Sequence, residues 1–108
     1  MTNVKNATIS FVACCQNANN VYFAKHYTNL KPCLFTLLPG RKFYKITTTN
    51  HGGEGQTSVF GFVDKTTGDI FKPASWNARA KHARGNVLSV GNGIEALDQQ
   101  RQHVRYLS

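Results

Sequence analysis

Acid is what this sequence has least of. Five Asp and Glu stand against thirteen Lys and Arg in 108 residues, a formal net charge of +8. No acid precedes Glu54, and none lies between Asp69 and Glu95. With so few carboxylates, general acid–base chemistry has little to work with, and no acid pair stands near any of the four histidines, at 26, 51, 82 and 103. Those histidines also lack a metal-ligand spacing such as His-x-x-x-His. Long apolar runs are missing too, and none approaches the roughly 18 residues that cross a bilayer. The first residues, Met1 to Asn6, have no charged region leading into an apolar stretch, so no secretory signal is expected. Cysteine is limited to three residues, which in a chain without an export signal points to reduced thiols in a cytosol. Cys14 and Cys15 are adjacent, a spacing that suits neither a zinc knuckle nor a redox Cys-x-x-Cys pair, and they read as a partly buried thiol pair. Repeats and low-complexity tracts are absent. Membrane-spanning, secreted and collagen-like classes are therefore not expected.

What is present suffices for one domain with a real core: 41% of residues are apolar, with seven Phe, four Tyr and one Trp. Ala7 to Cys15 is β-favouring in composition, Asn17 to Asn20 reads as a turn or helix cap, and Phe23, Tyr27 and Leu30 recur at helical spacing up to Pro32. Cys33 to Leu38 is a β-type run closed by Pro39-Gly40. Arg41 to Thr49 then alternates, with Phe43, Lys45 and Thr47 on one face and Tyr44, Ile46 and Thr48 on the other. Asn50 to Gln56, with three glycines, reads as a flexible loop. Val59 to Asp64, the turn Lys65-Thr66-Thr67-Gly68 and Asp69 to Ala74 form a hairpin in which Gly68 takes positive φ and the flanking aspartates hydrogen-bond their own backbone. Ser75 is expected to cap a helical turn through Lys81, and Asn92 or Gly93 to start a last helix from Ile94 to Arg101. The fold class predicted is α+β: a small antiparallel sheet of about four to six strands with one or two short helices.

The chemistry-bearing stretch is Trp76 to Asn86. An indole can stack on a base, arginine forks onto phosphate oxygens, and glycine lets backbone N–H groups approach a phosphate. Asn86 offers a donor and an acceptor to a ribose hydroxyl or a base edge. The plainer alternative makes Trp76 a core residue, Asn86 a local cap and the basic residues a solvated face.

Phe60-Gly61-Phe62-Val63-Asp64-Lys65-Thr66-Thr67-Gly68-Asp69-Ile70-Phe71-Lys72-Pro73-Ala74-Ser75-Trp76, followed by Ala80-Lys81-His82-Ala83-Arg84-Gly85-Asn86, is similar to a widespread group of small bacteriophage proteins. That group shares a Thr-Gly-Asp hairpin, a Trp and an Ala-Lys-x-x-Arg-Gly-Asn run. Gly40 to Ile46 resembles its preceding strand and Tyr106-Leu107 its closing dipeptide, so the likeness covers about residues 38 to 86 and the tail. Arg79 departs from it, standing near a proline of the pattern, and the region from Met1 to Tyr27 has no counterpart. The group resembles the phage Thoeris anti-defence sponges, β-rich oligomers that capture cyclic ADP-ribose isomers without cleaving them. The resemblance implies a non-enzymatic, cofactor-free homo-oligomer acting in the host bacterial cytoplasm on a cyclic nucleotide. Trp76 would stack on adenine, Lys81 and Arg84 would neutralise a pyrophosphate, Gly85 would let backbone N–H groups approach a phosphate, and Asn86 would read a ribose hydroxyl. Arg41 and Arg105 would add phosphate contacts across a protomer boundary. A second expectation, drawn from the same cations and aromatics, is a phage protein that binds single-stranded DNA or RNA along an open groove. A third is a virion or scaffold component touching packaged genome.

Overall fold

The computed structural model describes residues 3–105, so the Tyr106-Leu107 dipeptide lies outside the described residues. The first element corrects the β expectation for Ala7 to Cys15 and the turn expected at Asn17 to Asn20. Both belong to one helix, α1 (Val4–His26). Ala7, Thr8, Phe11, Cys15 and Asn19 are its buried residues, the adjacent Ala7 and Thr8 followed at steps of three or four, and that stripe outweighs the β-favouring Ile9 and Val12. Asn3 caps it, its side-chain oxygen accepting from the N–H of Asn6 at 2.8 Å. The helix stops at His26 rather than Leu30, and the Tyr27 N–H closes on the Phe23 carbonyl.

Five strands follow: β1 (Leu34–Pro39), β2 (Phe43–Thr49), β3 (Thr57–Asp64), β4 (Asp69–Pro73) and β5 (Arg79–Asn86). They pair antiparallel in chain order, the α+β meander read from the alternation. The 50–56 stretch, expected as a flexible loop, carries a tight turn, α2 (Asn50–Gly53), in which His51 and Gly52 take left-handed φ of 56° and 68°. At the β3–β4 turn Gly68 takes φ +83°, and the Asp64 carboxylate accepts from the N–H groups of Thr66 and Thr67 at 2.7 and 3.0 Å. Asp64 sets the turn as its sequence position predicts. Asp69 instead accepts from the side-chain amide of Asn86.

Two further expectations are corrected beyond Ala74. The helical turn expected from Ser75 to Lys81 is a tight bend at 74–78, where the N–H groups of Ala74 and Ser75 both donate to the Ala78 carbonyl. That bend folds the chain back so that Arg79 pairs with Pro73 and Asn86 with Asp69, making β5 an edge strand. The last helix shrinks to one 3₁₀ turn at Ile94–Ala96. Its lead-in, Gly93, sits at φ +95°, where an added Cβ would lie 2.6 Å from Ile70 Cδ1 and 2.8 Å from Phe11 Cδ1. The chain then closes through a bridge between Leu97 and Val104.

The sheet's two faces differ. One joins α1 and the C-terminal turns in the core, around Phe11, Ile46, Val63, Ile70, Val87 and Val104. The other presents Lys45 opposite Phe62 and Phe62 opposite Phe71, with the 74–78 bend folded beside them.

Candidate functional site

The cations expected to act together separate into two places. The first is the sheet face away from α1. Trp76, on the 74–78 bend, is 48% exposed, so it is not a core residue. The ammonium of Lys45 lies 4.5 Å from the centre of its ring and donates to the Asn77 side chain at 3.0 Å. Arg79 lays its guanidinium 4.3 Å from the centre of Phe71 and 5.5 Å from that of Phe43. Phe43 meets Phe62 and Phe71 edge-on, with centroids 6.3 and 6.0 Å apart. A depression of about 280 Å³ adjoins this platform, bounded by Leu38, Arg41, Lys42, Lys45, Phe62 and Asn77. Arg41 is thereby joined to the surroundings of Trp76, and Lys81 projects exposed from β5 two residues beyond Arg79. Lys45, Arg79, Phe43 and Asn77 were not singled out as site residues from the sequence. The alternation of 41–49 carries the signal for Phe43 and Lys45, and the β2–β3 register supplies the rest.

The second place is the end of β5, and there the side chains are occupied by the fold. Arg84 is 9% exposed. Its Nε donates to the Arg105 carbonyl at 3.1 Å, and its Nη1 donates to the His82 carbonyl. Arg105 reciprocates, donating from Nη2 to the Arg84 carbonyl at 3.3 Å and from Nε to the Glu95 carbonyl at 2.9 Å. Gly85 passes so close to the 3₁₀ turn that an added Cβ would sit 2.9 Å from the Cβ of Ala96. The Asn86 amide donates to the Thr67 carbonyl and the Asp69 carboxylate, and its oxygen accepts from the Leu88 N–H at 2.7 Å. Seven residue steps of β5 part Arg79 from Asn86, about 20 Å at strand rise, so Trp76 and Asn86 do not converge on one small ligand within a single chain.

Acids do little to neutralise the first place. Asp64 is used in its turn, Asp69 on Asn86, and Asp98 on the Gln102 N–H. Glu95 accepts from the Asn86 N–H and the Ser89 hydroxyl. Its partial burial would raise its pKa, but hydrogen bonds from Asn86, its own backbone and Ser89, with the charge of Arg105, hold it below the usual glutamate value. Among the described residues the one ion pair is Lys31–Glu54, at 4.0 Å on the surface.

The thiols divide as well. Cys14 is exposed, whereas Cys15 is buried and its pKa is pushed up to about 12, first by burial and then by its neighbour Cys14, so it stays a thiol. Among the described residues no three of His, Cys, Asp and Glu gather where they could hold a metal ion, and no helix is long and apolar enough to cross a membrane.

Over residues 1–106 the chain matches the model of a family of unknown function, DUF7717, and it belongs to that family. No curated protein and no solved structure matches it.

Proposed function

We propose that this member of a family of unknown function binds single-stranded nucleic acid on its open sheet face, as a binding protein rather than an enzyme. One observation carries the reading: an exposed indole stands against Lys45 on a face that also carries Arg79 and adjoins the depression bordered by Arg41 and Lys42, and none of these cations has a carboxylate partner among the described residues. Aromatic rings that accept bases and cations that track phosphates are what sequence-tolerant binding to single strands needs, and an open face admits a polymer. A single-domain phage protein acting on its host's or its own nucleic acid fits the same chemistry.

The cyclic-nucleotide reading uses Trp76 from this face and the exposed Lys81 of β5, but also Arg84, Gly85 and Asn86, which are engaged inside the chain. Its pocket would have to form between copies. Exposed Ile9, Val21, Leu88 and Val90 are the apolar surface that such a homo-oligomer would cover.

Trp76 is the chain's single tryptophan, so its fluorescence reports the site directly. Titration with a short oligonucleotide is expected to quench it. The logarithm of the association constant should fall by about 0.7 per phosphate contact for each tenfold rise in salt. A protein that ignores oligonucleotides but binds cyclic ADP-ribose isomers with little salt dependence returns the assignment to the sponge reading. Light scattering on the same samples reads the oligomeric state.

A further inference from the structure

The helix side of the sheet is covered unevenly. The buried residues of α1 all lie at or before Asn19. Its remaining turns carry Tyr22 and Phe23, with Tyr27 just past the end, and these rings gather on one another instead of entering the core. Phe23 and Tyr27 have centroids 5.1 Å apart, and Tyr22 lies 4.4 Å from His26. Folding alone gives no reason for three aromatics there, because the helix is already anchored by its buried residues from Ala7 to Asn19.

Between these rings and the sheet is a cavity of about 420 Å³, within the usual range for small-molecule sites. Phe35 and Phe60 form its sheet wall, edge-to-face at 5.1 Å and 67°. The neighbouring wall is polar and neutral. The hydroxyls of Thr48 and Ser58 are 3.3 Å apart, and the Asn50 side-chain oxygen meets the Cys33 thiol at 3.5 Å. None of the described residues lining the cavity is a carboxylate. The ammonium of Lys72, which also borders it, donates to the Val104 carbonyl at 2.9 Å.

We propose that this cavity binds a planar, uncharged heteroaromatic molecule of nucleobase to nucleoside size, its ring between Phe23, Tyr27 and the Phe35–Phe60 pair, its edge on Thr48, Ser58 and Asn50. Aromatic walls on two sides favour a flat π-system over an aliphatic chain. Hydroxyl and amide groups on the third side favour a ligand edge with both donors and acceptors, since an acyl chain would desolvate them unpaired. The ammonium of Lys72 and the ring of His103 also border the cavity, but the groups set against the ligand's edge, Thr48, Ser58 and Asn50, are uncharged, so a neutral ligand matches them. The site is separate from the open sheet face and does not depend on it.

The test is a ¹⁵N NMR titration of the full chain with adenosine, cytidine and AMP. Saturable amide shifts at Tyr27, Thr48 and Ser58 are expected with a nucleoside, unchanged by added salt, with AMP binding no more tightly. Tyr27→Ala removes an exposed ring that the core does not need, and should weaken binding roughly 3- to 10-fold. Ser58→Ala should discriminate between nucleosides by their hydrogen-bonding edge. Shifts confined to 41–45 and 76–79, tighter binding of AMP by tenfold or more, or no saturation at millimolar nucleoside each overturn the proposal.

Discussion

Two arginine-bearing regions sit within a few residues of each other in sequence and have opposite fates. Around Trp76, Arg79 and Lys45 lie over aromatic rings with their outer surfaces in water. At the end of β5, Arg84 and Arg105 grip each other's backbone carbonyls, and Asn86 ties the Thr67–Asp69 turn to the loop at Leu88. Residue type proposes a phosphate contact in both places. Both arginines meet two backbone carbonyls, Arg79 those of Ala80 and Lys81 and Arg84 those of His82 and Arg105. What separates them is cover: Arg84 is buried against the chain's end and acts as a staple, whereas Arg79 is exposed on the uncovered sheet and keeps its charge available to a ligand.

The sharpest break of that contrast is in stability. Asn86→Ala leaves the Thr67 carbonyl, the Asp69 carboxylate and the Leu88 N–H without their partner. The expected cost is about 2–3 kcal/mol. For a chain of this size that lowers the melting temperature on the order of 10 °C. Thermal unfolding followed by circular dichroism measures it. A variant that melts like the wild type yet loses its ligand would make Asn86 a binding residue and dissolve the distinction between the two regions.

Next comes Trp76→Ala, with the reverse signature. Half-exposed and off the core, the indole contributes little to folding, so the melting temperature should hold. Affinity for an oligonucleotide should fall by about 1–3 kcal/mol, the range for one stacked base. Anisotropy with a labelled strand reads the change. Intact affinity with intact folding would move the site off this face.

How far the sequence announced this division can be traced residue by residue. The meander was legible because alternation over 41–49 and the Thr-Gly-Asp turn are local signals, and both survive in the fold. α1 was not, because Ile9, Phe11 and Val12 favour strands locally while the stripe at 7, 8, 11, 15 and 19 acquires meaning only against the sheet. The bend at 74–78 reads as a helix start, since Ser75 is a good cap, but the pairing of Pro73 with Arg79 claims the chain first. Of the site, Trp76 is found on the open face, Arg41 at the depression that adjoins it, and Lys81 exposed on β5. Arg84, Gly85, Asn86 and Arg105 are held elsewhere, because a sequence motif records residue types and not the carbonyls that will meet them.

A smaller effect sharpens the open face's side of the comparison. Arg41 is exposed beside the depression, so Arg41→Ala should reduce the salt slope of oligonucleotide binding by about 0.7 and leave stability alone. An unchanged slope would place the phosphates away from this edge.

The smallest expected effect tests the other side. Glu95 holds the Asn86 N–H and the Ser89 hydroxyl, and its charged form accepts both bonds more strongly than its neutral form does. Its folded pKa lies below the usual 4.5, so the carboxylate contributes stability that is fully present above that value. As pH falls below the ordinary value and through the depressed one, protonation removes that contribution. Glu95→Gln abolishes the titration while keeping the shape. Wild type should therefore exceed the variant in stability at neutral pH, by less than about 1 kcal/mol because the group is exposed. The two should converge only in acid below the glutamate range. Denaturant midpoints across pH measure the gap. A gap that stays constant far into acid would mean that Glu95 supports the end of β5 by shape alone, and that the network fastening Asn86 there does not depend on its charge.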